Sequence, residues 1–76
     1  MIEIELRLFA TLTKYLPPEP EAYRVPGDTT VEKLLIELGI PREETKLIFI
    51  NGKKQELDHG LSQGDRVGIF PPVGGG

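Results

Sequence analysis

Aliphatic and charged residues alternate over the first eight positions of the chain. The aliphatic side chains fall at every second position, at Ile2, Ile4, Leu6 and Leu8. A period of two places successive side chains on opposite faces of a strand. The pattern therefore predicts a first strand with one face in the core and one in water.

A short helical segment and a second strand are expected next. Residues 10–16 have room for one or two helical turns before Pro17 and Pro18 end regular structure. Residues 21–25 are predicted to form a short strand, which the turn-forming run Pro26-Gly27-Asp28 closes. Since the two strands follow each other closely, we expect them to form a hairpin.

One amphipathic helix follows. Thr29 and Glu32 have the spacing of a capping box, which predicts that the helix begins there. Apolar residues then recur at i, i+3, i+4 and i+7, at Val31, Leu34, Leu35 and Leu38. Gly39 is expected to end the helix in the left-handed conformation, and Pro41 prevents its continuation.

The last third of the chain predicts a second hairpin and a final strand. The apolar run at residues 46–50 reads as a strand, and the Asn51-Gly52 dipeptide after it favours a type I′ turn. Val67 and Ile69 indicate a last strand that ends at Phe70. A short strand is expected between these two.

This order of elements predicts an α+β fold of two layers. One helix must bury its single apolar stripe against one sheet, and a right-handed crossover makes a late strand parallel to the first. The expected architecture is the β-grasp, or ubiquitin-like, fold, with a mixed sheet of four to five strands packed on one main helix. We predict that residues 1–70 form this domain and that residues 71–76 form a flexible C-terminal tail with terminal glycines.

Composition narrows the function classes. A chain of 76 residues has room for one small core and little for an enzyme pocket, and it has no cysteine for a disulfide or a thiolate metal site. Its net charge of −3 disfavours a nucleic-acid partner. No apolar stretch has the length of a membrane span or the form of a signal peptide, so we expect a cytoplasmic protein without a membrane partner.

The residues that could carry chemistry are better explained by structure. His59 is the one histidine and lies in a polar turn, so we assign it no metal. Asp58 and Asp65 each adjoin a turn glycine, where aspartate commonly accepts backbone hydrogen bonds. We therefore predict no catalytic residue, no metal site and no bound cofactor in this chain.

The C-terminal run Phe70-Pro71-Pro72-Val73-Gly74-Gly75-Gly76 resembles the tail of the small subunit of molybdopterin synthase. Further segments resemble the same family in the same order: the opening Leu6 to Leu12, the helix entry Gly27 to Val31, Asn51-Gly52, and Gly64 to Val67. The resemblance to the MoaD/ThiS family of ubiquitin-like sulfur carriers covers essentially the whole chain. It departs at Gly74, where the family more often has serine or alanine.

The resemblance implies a carrier whose working group is the carboxylate of Gly76. An adenylating enzyme of the MoaB, MoeB or ThiF type would activate it with ATP and Mg, a sulfurtransferase would supply sulfur, and the large subunit of molybdopterin synthase would receive it. The tail that enters the partner's active site would comprise Gly75, Gly74, Val73, Pro72 and Pro71. Interface candidates are Phe70, Phe9, Arg7 and Arg66.

Three functional classes stay open at this point. A sulfur carrier serves the synthesis of a molybdenum or tungsten pterin, thiamine synthesis or tRNA thiolation. The same adenylate serves ubiquitin-like protein modifiers, which end in an amide to lysine. A plain binding domain with the same fold would not need terminal glycines. The double proline before Val73 favours the molybdopterin branch.

Overall fold

Five strands form one mixed sheet in the order β2-β1-β5-β3-β4. The computed structural model describes residues 1–72. The strands are β1 (Ile2–Leu8), β2 (Tyr23–Val25), β3 (Leu47–Ile50), β4 (Lys53–Lys54) and β5 (Arg66–Phe70), and the α-helix is α1 (Val31–Leu38). Short 3₁₀ helices lie at Ala10–Tyr15, Pro20–Ala22 and Arg42–Glu44.

The pairing of the strands confirms the predicted β-grasp arrangement. β1 is antiparallel to β2 and parallel to β5, while β3 is antiparallel to both β5 and β4. Asn51 and Gly52 have φ values of 55° and 85°, as a type I′ turn requires, so the second hairpin is confirmed. The sheet has five strands and is mixed, as expected.

The core lies between the sheet and α1 and is built from aliphatic side chains. The sheet contributes Ile4, Leu6, Leu8, Val25, Ile48, Ile50, Val67 and Ile69, and α1 contributes Val31, Leu34 and Leu35, all buried. The predicted helix stripe is thus confirmed, with Leu38 at its half-buried edge. In the described part of the chain, no helix has the length and apolar character needed to cross a membrane.

The predicted capping box at Thr29 is wrong, because α1 begins one residue later. The Oγ1 atom of Thr30 accepts a hydrogen bond from the Lys33 N–H at 3.3 Å, so Thr30 is the N-cap. The backbone of Thr29 is held outside the helix, since its carbonyl accepts from the Leu61 N–H at 2.9 Å. At the other end Gly39 has a φ of 78°, which confirms the predicted left-handed cap.

Two strand boundaries also differ from the prediction. β2 covers three residues, because Pro20–Ala22 form a 3₁₀ turn where a strand was expected from residue 21. Pro20 fixes the first residue of this turn near the φ of a helix, which favours the turn over an extended start. β3 begins at Leu47, one residue after the predicted start.

Replacing Leu35 with alanine should lower the free energy of unfolding by about 2–5 kcal/mol, because it opens a cavity between α1 and the sheet. Leu35 is 3% exposed. The neighbouring Ile36 is 72% exposed, so Ile36→Ala serves as the matched control and should change stability little. Urea unfolding of both variants measures the difference, and equal losses would mean that the helix face is assigned wrongly.

A hydrogen bond between β2 and α1 should make stability fall at high pH. The Tyr23 hydroxyl donates to Glu37 Oε1 at 2.7 Å, and burial together with this bond raises the pKa of Tyr23 to about 12. The folded protein then holds the phenolic proton more tightly than the unfolded chain, whose tyrosine pKa is 10.0. The contribution of Tyr23 to the free energy of unfolding is therefore fully present below pH 10 and is lost as the pH rises between the two pKa values.

Absorbance titration of tyrosinate in a Tyr15→Phe background should report this pKa directly. Glu37→Gln removes the carboxylate, and we expect it to move the Tyr23 pKa back toward the ordinary value. An unchanged titration in this variant would show that Glu37 does not hold the hydroxyl.

Candidate functional site: an aromatic surface at the end of the last strand

All three phenylalanines of the chain lie on the face of the sheet that points away from α1. Residues of β1, β5 and β3 that alternate with the buried aliphatics point outward, and Phe49 and Phe70 are two of them. Phe9 follows β1 and is 38% exposed, while Phe49 and Phe70 are half-buried. The largest apolar side chains of the protein are thus outside its core.

The three rings contact one another around Gly68. The rings of Phe9 and Phe70 are stacked, with centroids 4.3 Å apart and planes 5° apart. Phe49 meets Phe70 edge to face, with centroids 5.6 Å apart. A Cβ atom on Gly68 would lie 3.6 Å from Phe9 Cε2 and 3.9 Å from Phe70 Cε1, so both rings pack closely over the backbone of Gly68. We call Phe9, Phe49, Gly68 and Phe70 the aromatic surface.

Two arginines border the aromatic surface, which lines a shallow groove of about 510 Å³. The Arg7 Nε–H donates to Glu5 Oε2 at 2.7 Å, which is the one ion pair among residues 1–72. Arg66 lies next to Glu5 in the strand register and is exposed. An exposed ion pair of this kind stabilises a fold by at most about 1 kcal/mol. Arg7 could therefore exchange Glu5 for a carboxylate of a partner protein with little loss of stability.

A buried carboxylate fixes the far rim of the groove. Asp65 is 8% exposed, and its two oxygens accept from Asn51 Nδ2 at 2.9 Å and from the Ser62 N–H at 2.8 Å. Asn51 in turn accepts from the Arg66 N–H at 2.9 Å through its Oδ1 atom. The network ties the β3–β4 turn to the start of β5 and gives Asp65 the structural role predicted for it.

The structure brings together the four predicted interface residues, Phe9, Phe70, Arg7 and Arg66, around one groove. Of the predicted tail, Pro71 is half-buried and Pro72 is exposed, whereas Val73, Gly74, Gly75 and Gly76 lie outside the described residues. Their assignment as a tail that enters a partner stays a prediction.

Sequence reasoning missed Phe49 and Gly68. The run Leu47–Ile50 is apolar at every position, which hides the period of two. The signal was nevertheless present, because Phe49 falls between two residues of the core face, Ile48 and Ile50.

The described residues hold no group of three or more side chains suited to a metal. His59 is half-buried, and its carbonyl accepts from the Val31 N–H at 3.0 Å at the start of α1. Asp58 is exposed. Among the described residues, the site is an apolar surface with cationic borders.

A family model described as Mut7-C ubiquitin matches residues 1–74. The chain belongs to this family. The ubiquitin-like resemblance predicted from the sequence is thereby confirmed. No match is found among curated proteins.

Solved structures share the fold of this Mut7-C ubiquitin chain. SAMP1 from Haloferax volcanii is 27% identical, with a TM-score of 0.71 over 97% of this chain and 99% of that one. The HVO 2177 protein of the same organism is 29% identical, with a TM-score of 0.75 over 99% and 87%. A Pyrococcus furiosus protein assigned as molybdopterin converting factor subunit 1 is 24% identical, with a TM-score of 0.75 over 96% and 100%, and shows the fold alone.

The aromatic surface of this Mut7-C ubiquitin protein should contribute little to its stability. Phe9→Ala and Phe70→Ala should each lower the free energy of unfolding only modestly, with a coupling of about 0.5–1.5 kcal/mol from the stacked rings. A double-mutant cycle measured by urea unfolding gives that coupling. Losses as large as that of Leu35→Ala would place the rings in the core instead.

Proposed function

We propose that this protein is a sulfur carrier. Its Gly76 carboxylate is adenylated by a partner enzyme and converted to a thiocarboxylate, which donates sulfur in molybdopterin biosynthesis. The observation that carries the proposal is that Phe70 of the aromatic surface ends β5, directly before Pro71, Pro72, Val73 and the three glycines. A protein that docks on this surface therefore receives the C-terminal residues.

The length of the tail fits this geometry. Six residues follow Phe70 and end at Gly76, and an extended chain spans about 3.3–3.6 Å per residue, so the carboxylate reaches roughly 20 Å beyond the docked surface. That distance is enough to enter a nucleotide site inside a partner. Glycine has no Cβ, so it allows a narrow channel.

The prolines reduce the entropy lost when the tail binds. Pro71 and Pro72 have a fixed φ and no N–H, so they favour the extended polyproline conformation and cannot continue the sheet. Fewer free conformations before binding mean a smaller entropy loss on entering the partner.

The partner proteins supply every reactant other than the Gly76 carboxylate. A carboxylate oxygen of Gly76 attacks the α-phosphorus of ATP, with Mg²⁺ bound by the partner, and pyrophosphate leaves. A persulfide sulfur then attacks the acyl carbon and AMP leaves. A second thiol attacks the sulfur–sulfur bond, which releases the thiocarboxylate and forms a disulfide. This chain has no cysteine, so both thiols belong to the sulfurtransferase or the activating enzyme.

Partner recognition uses the aromatic surface and its arginines. Aromatic side chains and arginine are enriched among residues that dominate binding energy. The adenylating enzyme and the large synthase subunit would each bring an apolar patch to Phe9 and Phe70, with carboxylates near Arg7 and Arg66. The tail run Phe70-Pro71-Pro72-Val73 supports molybdopterin as the pathway, and the need for ATP supports a cytoplasmic location.

A second candidate function is protein modification. It is favoured by the similarity to SAMP1, which belongs to the small archaeal modifier proteins. Both functions begin with the same adenylate. Intact mass separates them after reaction with ATP, the activating enzyme and a sulfur source: a carrier gains one sulfur in place of one oxygen, whereas a modifier forms an amide to a lysine. The same spectrum of the isolated protein tests whether it ends at Gly76, as the proposal requires.

Deleting Gly75 and Gly76 should abolish adenylation without affecting the fold. The shortened tail places the carboxylate about 7 Å short of the α-phosphate, and attack requires an approach of about 3–3.5 Å. Pyrophosphate exchange with the activating enzyme measures the reaction, and the melting temperature reports the fold.

Gly74→Ser is the matched control, because it changes the tail but keeps its length and its last two glycines. This variant should exchange pyrophosphate at nearly the full rate. Pyrophosphate exchange at the full rate in the two-residue deletion would contradict the carrier proposal and favour a binding-domain role.

A further inference from the structure

A second groove lies beside α1, at the edge of the sheet formed by β3 and β4. One half is lined by Ile36, Ile40 and Leu57, and the other half is bordered by Lys46 and Lys54. Arg42 and Leu57 line both halves, so the two depressions adjoin and are treated together as one groove. We call it the lateral groove. It shares no lining residue with the aromatic surface.

We propose that the lateral groove docks an acidic segment of a partner protein that carries an aliphatic side chain next to its carboxylates. The aliphatic side chain would pack at the apolar end of the groove and the carboxylates would meet the basic end. The inference goes beyond the proposed sulfur chemistry and does not depend on Gly76.

The apolar end has surface to bury. Ile36 is 72% exposed on α1, beside the buried Ile40 and the half-buried Leu57. A single exposed isoleucine is common on protein surfaces and by itself indicates nothing. Here it borders a depression whose floor is already apolar, so an aliphatic side chain from a partner can bury area against three residues.

The basic end has positive charge that the fold does not neutralise. Arg42, Lys46 and Lys54 are exposed, and none of them has a described carboxylate oxygen within 4.0 Å. One acid, Glu56, lines this end, and a second, Glu32, lines the apolar half, so three cations face two acids around the groove. Because the whole chain carries −3, this local excess of positive charge orients an acidic segment toward the groove.

The turn Arg42–Glu44 positions this charge. Its carbonyl at Arg42 accepts from both the N–H and the Oγ1 of Thr45, at 3.0 and 2.8 Å, which closes the turn. Tyr15 donates to Glu44 Oε1 at 3.3 Å, so that carboxylate is engaged by Tyr15.

A protein segment fits the groove better than a nucleic acid does. Single-stranded nucleic acids bind through aromatic stacking as well as charge, and no aromatic residue is among the described residues that line this groove. A partner held here leaves the aromatic surface and the tail free for a second protein.

The test uses the full chain labelled with ¹⁵N and a synthetic peptide that has two leucines followed by three glutamates, capped at both ends. We expect amide shifts confined to the lateral groove and an affinity that decreases as salt is added. A peptide with glutamine for each glutamate should bind much more weakly. No shift at millimolar peptide, or shifts at Phe9, Gly68 and Phe70 instead, would overturn the proposal.

Charge reversal provides the matched comparison. Lys46→Glu with Lys54→Glu should weaken the peptide about tenfold or more, or about 1.4 kcal/mol. Lys14→Glu with Lys33→Glu changes the net charge equally at exposed sites outside the groove, and should have less than about a twofold effect. Equal losses of affinity in the two variants would mean that binding depends only on the net charge of the protein, which would overturn the proposal. Binding of a uridine oligonucleotide at the same amides with higher affinity than the peptide would assign the groove to nucleic acid and overturn the proposal.

Discussion

β1 and β5 lie side by side and parallel in the middle of the sheet, although they come from the two ends of the described chain. Their register pairs Leu6 with Val67 and Leu8 with Ile69, which sends these four side chains toward α1. The hydrogen bond from the Phe9 N–H to the Ile69 carbonyl continues this pairing beyond β1. Since strand side chains alternate, a shift of one residue would carry the aliphatics into water and the charged residues into the core. Burial of these aliphatic side chains therefore also determines which residues of β1 and β5 point away from α1.

The aromatic surface depends on this pairing. Gly68 lies beside Arg7 in the register, and the rings of Phe9 and Phe70 stack at van der Waals distance over that position. Ala10 has a φ of 52°, which turns the chain immediately after Phe9 and keeps that ring at the end of β1. Because β5 leads into the predicted tail, the last strand joins Phe70 of the aromatic surface to the residues proposed to react.

The elements predicted from sequence are those whose signals are local. The period of two in β1, the stripe of α1 and the Asn51-Gly52 turn are each contained in a few consecutive residues. The choice of N-cap was missed because Thr29 and Thr30 both suit a helix start, and the Leu61 N–H decides between them through a long-range hydrogen bond. Contacts between residues far apart in the sequence also determine the candidate site, and local patterns do not reveal them.

The four interface residues named from sequence came from a family resemblance and from their outward position. The lateral groove had no local signal at all, because α1, the turn Arg42–Glu44 and residues 54–57 meet only in the folded chain. A groove assembled from three separate segments leaves no periodicity to read in the sequence.

The edges of the sheet explain why partners should meet its faces. β2 has three residues followed by Pro26, and β4 has two residues, both lysine. Short edge strands, proline and lysine all disfavour the addition of a strand from another chain. Recognition is therefore left to side chains on the faces, and the aromatic surface comprises only four residues. Interfaces below about 1,200 Å² are typical of transient complexes, which suits a protein proposed to leave one enzyme and deliver its sulfur to another.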